Sequence, residues 1–468
     1  MIENAAIIFR RLQSLLGVNR AIAFTVMGRS WTIFSGAFTI LLIARFLAPA
    51  EQGYYYTFFS LVALQVVFEL GFSFVILQMA AHESANLRIS ANGDVVGEEA
   101  AHARLASVLQ KAVRWYSVAA ILMASALLIA GFRFFSSHAQ TTTAVPWRLP
   151  WTCVVIAMIF TFQMDPVFSF LEGCGFVPQV AHMRFGQAIA GTTLGWTALV
   201  THHGLFGPAA IISGQAAAGL VFLVSKRHLL LPLLGYRTGA FAVSWRNEIF
   251  PFQWRIAVSF FCSYFIYPLF SPVIFAYRGA TEAGRMGMSL TIATSITTLA
   301  FAWINTKASP FGNMIARRDF ANLDHVFFRA LLQSGVLLLG ADAGFLGTLF
   351  ALTRYLPRLA SRMLPIPLFA LLLLAVFLNH IVNCEAVYLR AHKREPFLIL
   401  AVLAALVIAS STLVTGRLWG VAGVVIGYFL CGGALYVVAG TSIFARCRRL
   451  WHEVPAQVPT PLRDTPQP

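Results

Sequence analysis

Ala44-Arg45-Phe46-Leu47-Ala48-Pro49-Ala50-Glu51-Gln52-Gly53-Tyr54 is a short polar break between two apolar runs, 21–44 and 54–76. Roughly twenty helical residues cross a hydrocarbon core about 30 Å thick, and each run is long enough to do so. Pro49 and Gly53 punctuate the break, so the chain leaves the bilayer near Ala44 and returns near Tyr54. Working outward, apolar runs recur at 114–134, 149–170, 178–200, 205–225, 250–275, 286–306, 327–350, 363–386, 396–415 and 418–444. The chain reads as an all-α polytopic membrane protein with about twelve transmembrane helices. Rings cluster at the expected span ends, at Tyr54 to Tyr56, Trp115 with Tyr116, Trp147 with Trp151, and Trp419, where aromatic side chains favour the headgroup level.

Composition agrees. The 468 residues are 58% hydrophobic and 11% charged, against roughly 25% charged in soluble domains, and mean hydropathy is +0.74. The net charge of +16 would suggest nucleic acid on a soluble protein; here the basic residues sit in short loops and topology accounts for them. With a cytoplasmic N-terminus, about 24 lysines and arginines fall inside and about 9 outside, so both termini are placed in the cytoplasm. Arg10, Arg11 and Arg20 before an apolar stretch resemble a signal peptide, and Ala48-Pro49-Ala50 a cleavage site. The stretch is too long for that, is interrupted by Arg29 and runs at once into another span, so it stays the first transmembrane helix. The six cysteines show no CxxC spacing and read as packing residues.

The divisions expected are a cytoplasmic segment 1–20, a first lobe 21–225, a linker 226–249 marked by Pro232, Gly235 and Gly239, a second lobe 250–445 and a cytoplasmic tail 446–468 that is proline-rich at its end. Leu105, Val108, Leu109 and Ala112 fall at helical spacing, which predicts an amphipathic lead-in to the third span. The longest outside loop, Phe135 to Arg148, is too short to hold an extracytoplasmic catalytic domain. Two matches indicate a repeat: Leu205-Phe206-Gly207-Pro208-Ala209 with Leu418-Trp419-Gly420-Val421-Ala422, and Ala50-Glu51-Gln52-Gly53 with Thr281-Glu282-Ala283-Gly284. Two halves of six spans each would be parallel repeats about an axis along the membrane normal.

The opening segment, followed by Phe68-Glu69-Leu70-Gly71-Phe72, resembles the polysaccharide and O-antigen repeat-unit flippases of the multidrug/oligosaccharidyl-lipid/polysaccharide (MOP) exporter superfamily. Leu171-Glu172-Gly173-Cys174-Gly175 and Gly204-Leu205-Phe206-Gly207 resemble further segments of that family. Ala48 departs from its pattern, in which glycine is usual, and 278–288 follows it loosely. The resemblance implies two six-helix lobes around a central cavity, alternating access, and an undecaprenyl-diphosphate-linked glycan as substrate, with polysaccharide polymerase machinery as a partner and membrane lipids around it.

Function is sought among charges inside the membrane, each of which costs at least about 2.5 kcal/mol on insertion scales and so requires a partner or a wet cavity. Arg29, Glu69, Asp165, Arg184 and Arg255 are the candidates, and at a rise of about 1.5 Å per residue all lie roughly 8–12 Å from the cytoplasmic ends of their helices. Arg29, Arg184 and Arg255 are assigned to a diphosphate and glycan cavity, because guanidinium forks match phosphate oxygens. Glu69 and Asp165 are assigned to a coupling ion or to charge pairing. The competing readings are that Arg184 and Arg255 snorkel to headgroups, that Arg29 pairs with Glu69, that Asp165 caps a kink at Pro166, and that Asp342 pairs with Arg354 or Arg358. Gln65, Gln163, Gln187 and Asn305 suit sugar hydroxyls or helix-to-helix bonds equally. His202-His203 and the His380, Cys384, Glu385 set make no convincing metal site, the sequence carries no P-loop, and no cofactor is expected. Two alternatives remain at this stage, a cation-coupled drug exporter of the same superfamily and a polytopic polysaccharide polymerase or ligase.

Overall fold

The structure, a computed structural model, describes residues 20–85, 87–90, 94–138, 145–244, 249–250, 253, 257–258, 261–262, 264–392 and 394–452. Arg255 and the tail from 453 lie outside them. The protein is an all-α polytopic membrane protein. Among the described residues, 7 helices are long and apolar enough to cross a bilayer, or 8 if one bent pair is a single span; much of the span expected at 250–275 lies outside the described set.

The first half holds α1 (Arg20–Phe46), α2 (Pro49–Val62), α3 (Gln65–Glu69), α4 (Phe72–Ser84), α5 (Glu99–His138), α6 (Arg148–Gly173), α7 (Val177–Val200) and α8 (Gly207–Ser225). Helix α7 lies along both α1 and α8, and α6 against α4, α5 and α8. The second half holds α10 (Phe270–Arg278), α11 (Ala280–Asn305), α12 (Ala308–Ala316), α13 (Phe320–Tyr355), α14 (Ile366–Ala391), α15 (Leu398–Tyr428) and α16 (Tyr436–His452), with a π-helical turn at Phe429–Leu435. The amphipathic lead-in continues unbroken into the third span as α5, burying Leu105, Val108, Leu109 and Ala112. The stretch read as a linker is fastened rather than loose. Its helix α9 (Arg227–Gly235) ends where the Gln110 amide donates to the carbonyls of Leu233 (2.9 Å) and Tyr236 (2.8 Å). A two-stranded hairpin, Leu87–Ile89 with Val95–Gly97, adds an element that periodicity had not signalled.

Two spans differ from expectation. Residues 54–76 do not form one straight helix: Leu70 and Gly71 are both left-handed (φ 53° and 66°), and the segments on either side are bent by 46°. Residues 398–452 run on as helix, far too long for one crossing, and the reversal is made at Gly420 (φ 65°, ψ −138°). Beyond it Gly427 packs on Ser411 and Thr415, and Gly432 on Ile408, as in a tight hairpin of two spans.

One apolar core runs through the first half and into one end of the second, including Phe58, Trp151, Phe275 and Met286. A separate core of Phe311, Phe327, Tyr388 and Phe444 fills the opposite end of the second half. The halves therefore share a core at one end and not at the other.

Candidate functional site

The shared region is a seam built by the two matched repeat segments, which touch. A Cβ on Gly53 would run into the backbone of Ala280, one on Gly284 would lie 2.9 Å from the Gly53 nitrogen, and one on Gly287 would meet Tyr56. Glycine here permits backbone-to-backbone approach between spans, the small-residue logic of membrane helix packing. Gln52, buried on α2, donates to the carbonyls of Gly284 (2.9 Å) and Arg362 (3.0 Å). Arg362 returns the contact, donating to the Leu47 carbonyl at 2.7 Å. Glu51 is turned to its own helix end, accepting from the Ala48 nitrogen at 2.8 Å, and Glu282 pairs with Arg285 at 2.7 Å. The seam thus consists of backbone, one amide and one guanidinium, with its carboxylates occupied.

Away from the seam lies the polar cluster of the first half. Glu69 ends α3 where the Leu70–Gly71 break turns the chain, so the Glu-Leu-Gly motif is a bend that sets a carboxylate at its corner. Its side chain bonds to Ser73, whose hydroxyl is 2.8 Å from that of Tyr116 on α5. Asp165 on α6 is acted on electrostatically by Arg184 and Glu69, and Tyr116 by both carboxylates. Pro166 follows within the helix and has no N–H to offer the preceding turn. Arg184 on α7 donates Nε to Glu172 at 3.3 Å, and half of its side chain is exposed. The Leu-Glu-Gly-Cys-Gly segment explains that placement. Glu172 receives Arg184, a Cβ on Gly173 would lie 2.5 Å from the Leu77 carbonyl, and Gly175 makes the turn at φ 89°.

Of the sequence-chosen residues, the structure brings Glu69 and Asp165 together around Tyr116, with Arg184 acting on Asp165 from α7. Arg29 is on α1, with its side chain outside the described set, and Arg255 lies outside the described residues. Asp342 is not paired with Arg354 or Arg358 among the described residues; it is buried in α13 with Oδ1 unpartnered there. The four neutral polar residues divide by contact. Gln163 donates to Ser117 (3.1 Å) and Gln187 to the Gln215 carbonyl (3.0 Å), both helix-to-helix bonds.

Two features were not singled out from sequence. On α1 and α7, Trp31 donates to Thr192 (3.1 Å) and Trp196 to Thr39 (2.8 Å), fixing two indoles 5.8 Å apart beside Phe34 and Phe38. On α11, Thr291, Ser295 and Thr298 return their hydroxyls to their own helix, and Ser295, Thr298 and Asn305 are exposed along one face. The hydroxyl run 291–298 at spacings of three and four was the available signal.

No family model matches the chain, and no curated protein matches it in sequence. Solved structures do. An inward closed conformation of the lipid II flippase MurJ aligns with a TM-score of 0.62 at 14% identity, covering 92% of this chain and 90% of that one. An inward-facing MATE family multidrug resistance transporter of the MOP superfamily gives 0.58 at 13%, covering 93% and 99%. A MOP superfamily transporter from Pyrococcus furiosus gives 0.55 at 13%, covering 93% and 96%. At such identities the likeness is one of fold, and it extends over nearly the whole of each chain.

Proposed function

We propose, from a fold shared with MOP superfamily transporters, that the chain is a flippase. Its substrate would be an undecaprenyl-diphosphate-linked oligosaccharide repeat unit, moved across the bacterial inner membrane by alternating access for surface or exopolysaccharide synthesis. The observation that carries this reading is the disposition of polar groups about the seam. With both termini in the cytoplasm, the halves would meet at their outer ends, and Glu69, Asp165 and Arg184 would lie on the cytoplasmic side of that closure, where a substrate from the cytoplasmic leaflet would arrive. A water-filled space there makes the charges tolerable at membrane depth. In this proposal Arg29, Arg184 and Arg255 contact diphosphate and glycan, Glu69 and Asp165 carry the coupling charge, and the prenyl tail remains in lipid. Polysaccharide polymerase machinery would receive the product.

The test is genetic and chemical together. Loss of the chain from its host should accumulate undecaprenyl-linked repeat units on the cytoplasmic face, and the wild-type chain should clear them. Arg29→Ala should abolish surface polysaccharide with membrane levels intact, and normal output from it would remove Arg29 from the mechanism. The two carboxylates gathered around Tyr116 favour one second reading, a cation-coupled drug exporter. Dye retention in cells lacking the chain, without lipid-linked intermediates, would select it.

A further inference from the structure

The second half contains a cleft that the cluster above does not use. It opens between the cytoplasmic end of α11 and the start of α13, with a volume of about 580 Å³, and its polar lining is Trp303, Thr306 and Lys307 facing His325, Arg329 and Gln333. His325, Arg329 and Gln333 follow at intervals of four and so form one line roughly 12 Å long on α13. The Trp303 indole donates to Gln333 Oε1 at 3.2 Å and joins the two helices at the deeper end.

Charge in the cleft is unbalanced. Among the described residues, Lys307, His325 and Arg329 have no carboxylate partner. The nearby acids are occupied: Asp324 accepts from Tyr388 (2.7 Å) and from Arg448 (2.6 and 2.8 Å), and Asp319 caps α13 by accepting from the Asn322 nitrogen (3.3 Å). Arg329 stands roughly 14 Å along its helix from Phe320 and lines the same cleft as Lys307. Basic pockets between transmembrane helices on the cytoplasmic side are suited to anionic lipid head groups. Next to the cations, Leu332 and Val336 are 68% and 62% exposed on α13, an apolar track on which a lipid chain can lie while its head group enters the cleft.

We propose that this cleft is a landing site for the diphosphate of a prenyl-diphosphate lipid in the cytoplasmic leaflet, before the head group moves to the space between the halves. The inference rests on the flippase reading. Arg329 supplies a planar fork and Lys307 a mobile ammonium for the two phosphates, Thr306 and Gln333 supply neutral hydrogen-bonding groups, and the half-exposed Trp303 offers a face to the first sugar.

The experiment uses the full chain in nanodiscs of neutral lipid and measures binding of undecaprenyl diphosphate by native mass spectrometry. A charged hydrogen bond contributes about 1.5 kcal/mol or more, which is about tenfold in affinity. Lys307→Gln with Arg329→Gln should therefore weaken binding at least tenfold, and Arg329→Lys alone should weaken it less. Thermal unfolding of each variant checks that the fold is kept. Wild-type affinity in the double variant would overturn the cleft and leave the flippase reading standing. Failure of the wild type to bind the prenyl diphosphate would overturn both. Equal displacement by inorganic pyrophosphate or phosphatidylglycerol would overturn the assignment to a prenyl-diphosphate lipid.

Discussion

The seam and the polar cluster of the first half solve opposite problems. At the seam, main chain meets main chain through Gly53 and Gly284, Gln52 is buried to 1% exposure, and each acid is turned aside to a local partner. Away from the seam, the cores of the two halves separate, Glu69 and Asp165 share one environment, and Arg184 stays half exposed. The contrast teaches how one bundle can be closed and receptive at once. A seam of backbone, one amide and one guanidinium parts with a single cation, Arg362, to be re-solvated, whereas the clustered charges of Glu69, Asp165 and Arg184 need water or a counter-charge where they stand.

The seam can be broken most forcefully at Gly53. Leucine there cannot coexist with the Ala280 backbone, and an overpacked core costs typically 1–3 kcal/mol or more. Because the clash exists only while the seam is closed, Gly53→Leu should shift the population toward an outward-open form by about tenfold or more. Ala283, fully buried in the seam, serves as reporter. With the native cysteines replaced, Ala283→Cys should be labelled from outside by an impermeant maleimide in the Gly53→Leu background and remain protected otherwise. Equal protection in both would mean that the seam is not the moving contact.

Gln52 gives a finer cut. Gln52→Leu removes both donated bonds and leaves the Gly284 and Arg362 carbonyls without that donor, at a cost of about 1–3 kcal/mol for a stranded buried group. The same reporter should become labelled, more slowly than in Gly53→Leu. Protection equal to wild type would show that the glycine contacts suffice to hold the halves.

Sequence made the repeat legible but not its meeting point. Glu51-x-Gly53 and Glu282-x-Gly284 could be matched by residue type, yet that the two copies press against each other is a contact across some 230 residues that periodicity does not contain. Gln52, the residue between, is not matched by residue type in the second copy, where Ala283 stands. The acidic-Leu-Gly motif was legible as a family mark, but the left-handed pair at Leu70 and Gly71 was not, because leucine in that conformation runs against local preference and is imposed by the packing around it. Lys307, His325 and Arg329 were hidden for another reason. On a chain of net charge +16, cations near helix ends are explained by topology until two helices are seen to present them to one cleft. The reversal at Gly420 was placed nearly correctly, between 415 and 418, because glycine and arginine punctuate that stretch.

The bend tests the cytoplasmic side of the comparison. Gly71 sits at φ 66°, where an L-residue costs roughly 1–2 kcal/mol, so Gly71→Ala should lower stability by about that amount. It should also reduce transport, since Glu69 is carried at the corner. Lowered melting temperature with unchanged transport would mean that the corner geometry has slack.

The smallest effect is expected at Arg184 and Glu172, and it separates structural from functional use of the same charge. The two groups are 50% and 22% exposed at 3.3 Å, and partly exposed pairs of this kind are worth about 0.2–1 kcal/mol. A double-mutant cycle with Arg184→Gln and Glu172→Gln should return a coupling energy in that range, read as a shift of melting temperature by a few degrees at most. Transport should respond differently. If Arg184 leaves Glu172 to meet an anionic substrate, Glu172→Gln alone frees the guanidinium and should leave transport at or above wild type, while Arg184→Gln should lower it. Equal loss in both single variants would show that Arg184 acts only through its pairing with Glu172, and the cationic contact to substrate would then fall to other residues.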